Sequence, residues 1–207
     1  NSKVIALDGV SLEIERGEFV AIVGPSGSGK STLLHIIGGV DSPDDGKVYI
    51  NGNDISKYSS KELAYFRRRK VGLIYQFYNL IPNLKVRHNI ELPLKLDKRK
   101  INQNEFSDIV KKLGIESKLN SFPSELSGGQ QQRVAIARSL IYNPSIILAD
   151  EPTGNLNQEM SEEIVKIFKT LAHTHNKCII MVTHSKEIAD KSDCILTLEK
   201  GTLRRNE

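Results

Sequence analysis

The stretch Gly24-Pro25-Ser26-Gly27-Ser28-Gly29-Lys30-Ser31-Thr32 constrains this chain more than any other. Three glycines within six residues allow turns that a Cβ would obstruct. The apolar run "EFVAIV" stands before it, and the helix-like "KSTLLHIIGG" follows. A strand, a glycine loop and a helix N-terminus in that order bring successive amides together around a phosphate. Gly24, Gly29, Lys30 and Ser31 fit the spacing G-x-x-x-x-G-K-[ST]. Lys30 is expected to reach the β- and γ-phosphates, and the Ser31 hydroxyl to ligate Mg²⁺. Pro25, Ser26, Gly27, Ser28 and Thr32 complete the expected cradle. Taken alone, the loop defines only a nucleotide binder.

The surrounding pattern predicts an α/β fold. "VIALDGVSLEIE" and "EFVAIVG" read as short strands, and "GKVYINGNDI" reads as a hairpin turning at Asn51-Gly52. "SSKELAYFRRRK" reads as a helix with a serine cap, and "VGLIY" as a buried strand leading to Gln76. The Arg67-Arg68-Arg69 run is expected to be a solvated helix end. From Phe77 to about Ser124 strand-like runs give way to polar helical ones, which predicts an inserted helical lobe. "GGQQQRVAIARSLI" and "SEEIVKIFKTLAHT" then read as helices, with "SIILAD", "CIIMVT" and "DCILTLEKG" as strands. Apolar strands alternating with helices predict a largely parallel sheet covered on both faces. The expected organisation is one domain over 1–207, with its core in 1–76 and 138–207 and a helical subdomain over about 77–137.

Composition narrows the class little further. The 207 residues suffice for one domain with a lobe inserted, and a net charge of +4 is too small to decide between anionic lipid, nucleic acid or neither as a partner. The apolar runs are far shorter than the roughly 18–20 residues that span a bilayer, and no signal peptide is read at the start. Cys178 and Cys194 lie in apolar stretches without CxxC spacing and read as buried free thiols on strands.

Two further motifs carry chemistry. "IILADEPTG" ends an apolar strand on two carboxylates. Strand alternation turns Asp150 and Glu151 in different directions, which suits two tasks. Asp150 is expected to hold the Mg²⁺ shell, and Glu151 to polarise the attacking water. "LSGGQ" is a second glycine loop. Ser127 is expected to cap a helix starting at Gly128, leaving amides at Gly128 and Gly129 as another anion site. The two loops either clamp one nucleotide together or lie apart and complete sites on another copy. The residues by themselves leave that choice open.

"GPSGSGKST", Gln76, "LSGGQ", "IILADE" and "THS", in this order, resemble the nucleotide-binding domain of ABC ATPases over essentially the whole chain. The resemblance implies a RecA-like P-loop NTPase core with an N-terminal antiparallel β part and an inserted helical subdomain. It implies ATP and Mg²⁺, with hydrolysis coupled to a head-to-tail homodimer. There Ser127, Gly128, Gly129 and Gln130 read the nucleotide held by the partner. Gln76 looks like the glutamine that senses Mg²⁺ and the attacking water. His184 looks like the switch histidine that contacts the γ-phosphate.

"YQFYNLIPNLKVRHNIELPL" and "LADEPTGNLN" resemble the MacB/LolD/FtsE branch, which includes ATPases of peptide-antibiotic exporters. The implied partner is an FtsX-type membrane permease meeting the segment Phe77 to Pro82, with the chain peripheral on the inner face of the membrane. Two departures stand out. The adenine-stacking aromatic usual in the family is missing from 1–18, so it either precedes residue 1 or adenine affinity is weak. Asn157 replaces the usual aspartate of the coupling loop. The alternative class is an ABC-type ATPase of a cell-division, ribosomal or nucleic-acid machine, and no nucleic acid is expected here. A small P-loop kinase is opposed by "LSGGQ".

Overall fold

Six strands form the central sheet in the order β4-β5-β6-β1-β7-β8. They are β1 (Phe19–Val23), β4 (Val71–Tyr75), β5 (Ile146–Asp150), β6 (Cys178–Val182), β7 (Cys194–Glu199) and β8 (Thr202–Arg205). The first five strands in that order run parallel, and β8 returns antiparallel to β7. This computed structural model describes residues 5–205.

Alternation along β1 explains why the central strands are apolar on both faces. Phe19 and Ala21 enter one hydrophobic cluster with Phe168, Ile136 and Ile90, while Val20 and Ile22 enter a second with Leu33, Leu34 and Ile37. The second cluster is closed by α1 (Lys30–Ile37). The first draws on α3 (Val86–Leu96), α4 (Gln103–Lys112), α5 (Gly128–Leu140) and α6 (Gln158–His175). The short α7 (Lys186–Ala189) and β8 carried no sequence signal strong enough to be read in advance.

The hairpin at Asn51-Gly52 forms as expected, but its strands β2 (Tyr49–Ile50) and β3 (Asn53–Asp54) are two residues each. Both turn residues have positive φ, 51° and 77°, the type I′ requirement that Asn-Gly meets. The expected N-terminal strand is not seen in the described part of 4–15: no strand precedes Phe19. Leu7, Val10, Leu12 and Ile14 still pack against the second cluster. The alternation is satisfied by burial, while the backbone lacks a ladder, with Asp8 N–H donating to Gly201 O as an isolated bond.

Ser59 caps α2 (Ser60–Lys70) through a reciprocal box with Glu62. Its basic end is engaged and not simply solvated. Arg67 donates to Gly39 O, while Arg68 and Arg69 pair with Asp97, whose side chain is 4% exposed. These bonds tie α2 to the end of α3. Helices α3 and α4 stand in the stretch where strand-like patterning stops, and Arg138 of α5 holds the connection by donating to the carbonyls of Tyr78 and Asn79. Cys178 and Cys194 are unpaired and only partly buried. Burial, with the nearby Glu18 charge, pushes the Cys178 thiol up to about 11.

Candidate nucleotide site

Register brings the predicted residues to one edge. Tyr75, Asp150, Val182 and Ile22 are neighbours across four strands. The residues that follow them therefore leave the sheet at its carboxyl edge: Gln76 after β4, Glu151 after β5, Thr183-His184 after β6, and Gly24 after β1. Only β6 separates β5 from β1, so the Asp150 strand end and the glycine loop lie about 10 Å apart. This crevice at the carboxyl ends of parallel strands is where open α/β sheets bind ligands.

The glycine loop is shaped by close backbone approach. A methyl group on Gly29, whose φ is 100°, would lie 2.3 Å from the Ala6 carbonyl oxygen. Lys30 is 9% exposed, and its ammonium donates to the carbonyls of Gly24 and Pro25 at 2.9 and 2.8 Å. No side chain caps α1, so its first amides stay available beside that cation. The Ser28 hydroxyl is buried and has no hydrogen-bond partner. Ser31 is exposed on the first turn, and Thr32 is half-buried. An unpaired hydroxyl, free amides and a lysine together suit an anion of several oxygens.

Glu151 adopts φ 47°, rare for a non-glycine residue, and its N–H donates to Val182 O at 3.0 Å. This bend buries its Oε2, which lies 3.0 Å from His184 Nδ1 without a hydrogen-bonding alignment. Asp150 is half-buried next to Tyr75, whose phenol is pushed up by burial and then by the Asp150 charge. Gln76 reaches the loop after Glu151: a methyl on Gly154 would meet its Nε2 at 2.9 Å, and Asn155 Nδ2 donates to Gln76 O.

No group of three or more His, Cys, Asp or Glu side chains suited to a metal occurs among the described residues. The expected metal donors Ser31, Gln76 and Asp150 are oxygen donors and few in number. That fits a hard cation such as Mg²⁺, which keeps waters and takes its other ligands from phosphate.

The second loop forms a reciprocal cap. Ser127 Oγ accepts from Gln130 N at 3.3 Å, and Gln130 Oε1 accepts from Ser127 N at 3.0 Å. Its glycines face the chain's own packing: a methyl on Gly128 would meet the Tyr78 hydroxyl, and one on Gly129 the sulfur of Met160 in the first turn of α6. Ser127 is exposed. Asn157 has a task the sequence reading missed, since its side chain accepts from Met160 N and caps α6. An asparagine just before a long apolar-periodic run was the available signal.

A parallel sheet with a phosphate loop after β1 and paired carboxylates ending β5 defines a P-loop nucleotide-binding protein. The family model described as ABC transporter matches residues 7–154. The chain belongs to the ABC transporter family, as its ATP-binding and ATP-hydrolysing cassette. It is 47% identical over 206 residues to an uncharacterised ABC transporter ATP-binding protein of Thermotoga maritima, covering 97% of this chain and 86% of that protein. Identity to the lipoprotein-releasing system ATP-binding protein LolD of Cytophaga hutchinsonii is 43%, covering 97% of this chain and 92% of LolD. It is 44% to the macrolide export ATP-binding/permease protein MacB of Bdellovibrio bacteriovorus, where the whole chain spans 32% of that protein. Two solved structures of the ABC transporter cassette MJ0796, both dimeric and one a post-hydrolysis state bound to ADP and Pi, match with TM-score 0.89. They are 42% identical, covering 98% of this chain and 90% of theirs. No helix among the described residues is long and apolar enough to cross a membrane.

Proposed function

We propose that this chain powers a membrane permease of the FtsX/MacB type by ATP-driven head-to-tail dimerisation, from a peripheral position on the inner face of the membrane. The observation that carries this reading is the exposed Ser127 cap of the second glycine loop. The phosphate loop shares the sheet's carboxyl edge with Glu151 and His184, whereas Ser127 is exposed at the start of a helix packed against Tyr78 and Met160. A second glycine loop with its capping serine exposed suits a nucleotide held by another copy. The dimeric forms of MJ0796 support the same arrangement.

In this reading Lys30 and the amides of 24–32 hold the triphosphate. Ser31, Asp150 and Gln76 would hold Mg²⁺, which would neutralise phosphate charge. Glu151 takes up the developing charge of the attacking water, and His184 orients the γ-phosphate. Ser127, Gly128, Gly129 and Gln130 complete the partner's site. The core comprises 1–76 and 138–207, and the helical subdomain about 77–137. The exposed Phe77 and Ile81, 73% and 42% accessible, support Phe77 to Pro82 as the permease-facing segment.

The test is Glu151→Gln with Mg·ATP on size-exclusion chromatography. The expected result is a shift from one chain mass to two, abolished by Ser127→Arg in the same background. A variant that binds ATP and stays monomeric at saturation would refute the shared site.

A further inference from the structure

Gln132 lies inside α5 with 0% exposure, and neither its amide oxygen nor its amide nitrogen has a hydrogen-bond partner. Both groups have lost water and gained nothing, which is costly. Two other buried polar side chains of α3 and α5 are satisfied. Asn89 is equally buried but bonds Ile81 and Leu84, and Ser139 Oγ donates to Ile136 O. An orphaned amide in such company calls for a cause.

The helix itself says where Gln132 faces. Positions 128, 132 and 139 fall in one row along α5. At one end of the row, a methyl on Gly128 would lie 2.8 Å from the Tyr78 hydroxyl and 3.8 Å from Asn155 O. At the other, the Ser139 carbonyl lies 3.1 Å from where a Cβ on Gly72 of β4 would stand. Gln132, between them, is on the face turned to β4 and to the Gln76–Tyr78 segment leading from it. Helical side chains lean toward the helix N-terminus, here toward Gly128, against whose bare Cα the Tyr78 hydroxyl packs. The Asn155 side chain bonds Gln76 O, so the loop after Glu151 and the segment after β4 meet at this same place.

We propose that Gln132 is a positioning residue for ATP hydrolysis. Its amide, unpaired in this arrangement, pairs with the Tyr78 hydroxyl and the backbone of 153–156 in a second arrangement of those segments that bound nucleotide favours. Bonds made in only one of two arrangements shift the balance toward it. The inference rests on the proposed roles of Gln76 and Glu151.

The experiment measures kcat, KM and thermal midpoint of the whole chain, the last with and without a non-hydrolysable ATP analogue. Gln132→Met keeps length and removes the orphaned amide. Without nucleotide its midpoint should rise by about 2–4 °C. Its kcat should fall at least tenfold with KM within a factor of two, and the analogue should stabilise it less than wild type. Tyr78→Phe leaves α5 untouched and should give a similar kcat loss, with the double variant no worse than either single. A kcat within a factor of two of wild type for either variant, or additive losses, would overturn the proposal. Normal hydrolysis by a Glu151→Gln control would instead overturn the site reading beneath it.

Discussion

His184 Nδ1 stands 3.0 Å from Glu151 Oε2, linking an imidazole 71% exposed to a carboxylate 17% exposed. The two side chains come from the residues just beyond the adjacent parallel strands β6 and β5, where Glu151 has a left-handed backbone. The pair is close but misaligned, and the ring is largely exposed; in the proposed reading the carboxylate accepts a proton from water and the ring meets the γ-phosphate. His184→Ala should therefore reduce turnover about 10²-fold, a magnitude usual for one positioned polar group. ATP affinity should change by less than a factor of three, read by equilibrium binding. Unchanged kcat would remove His184 from the mechanism.

Lys30→Ala should abolish hydrolysis. The ammonium is the cation folded into the loop, and its two bonds to Gly24 and Pro25 also hold the loop's shape. A triphosphate in that cradle would lose its main charged partner. Steady-state hydrolysis within a factor of two of wild type would sink the assignment of the phosphate loop.

Asn157→Asp should preserve the cap on α6 and add a negative charge at its N-terminus. The expected gain is about 0.3–1 kcal/mol, measured by urea unfolding. Nucleotide affinity should hold, and turnover or its Hill slope should change, because the substitution lies in the loop after Glu151 and not in the phosphate cradle. Asn157→Ala should cost about 1 kcal/mol by removing the acceptor for Met160 N. Kinetics identical to wild type in the Asp variant would make the departure at this position neutral.

Asp97 should mark the acid limit of the link between α2 and α3. Hydrogen bonding from Arg69 holds its carboxyl below the usual carboxylate range, with Arg68 adding to the effect. A depressed folded value means the stabilisation is present above the unfolded pKa of about 3.9 and is lost as pH falls through the lower folded value. Denaturant midpoints at pH 5 and pH 3 should diverge more for wild type than for Asp97→Asn. Equal divergence would show that the ion pairs contribute nothing to acid sensitivity.

Much of the fold was legible in the sequence because it rests on local rules. Asn51-Gly52, the Ser59 and Ser127 caps and the apolar runs of β4, β5 and β6 each report a backbone state through their own side chains. The segment 5–15 misled because alternation reports which face is buried, not whether a strand has a pairing partner. The arginines of α2 misled for a related reason. Their partners, Gly39 O and Asp97, lie about 28 residues away in the chain and carry no local signal.

By itself the sequence determined the phosphate loop, the paired carboxylates, the second glycine loop and their order, since each is a short motif whose chemistry is written in adjacent residues. Tertiary structure alone decided which of these meet. Parallel register set Gln76, Glu151, His184 and Gly24 on one edge, the adjacent ends of β5 and β6 brought the Glu151 carboxylate to His184, and the packing of α5 turned Gly128 to Tyr78 while leaving the Gln132 amide unpaired. The physical reason is that strand pairing and helix packing join residues distant in the chain through burial and backbone hydrogen bonds. No single segment encodes those contacts, and only their sum selects the arrangement.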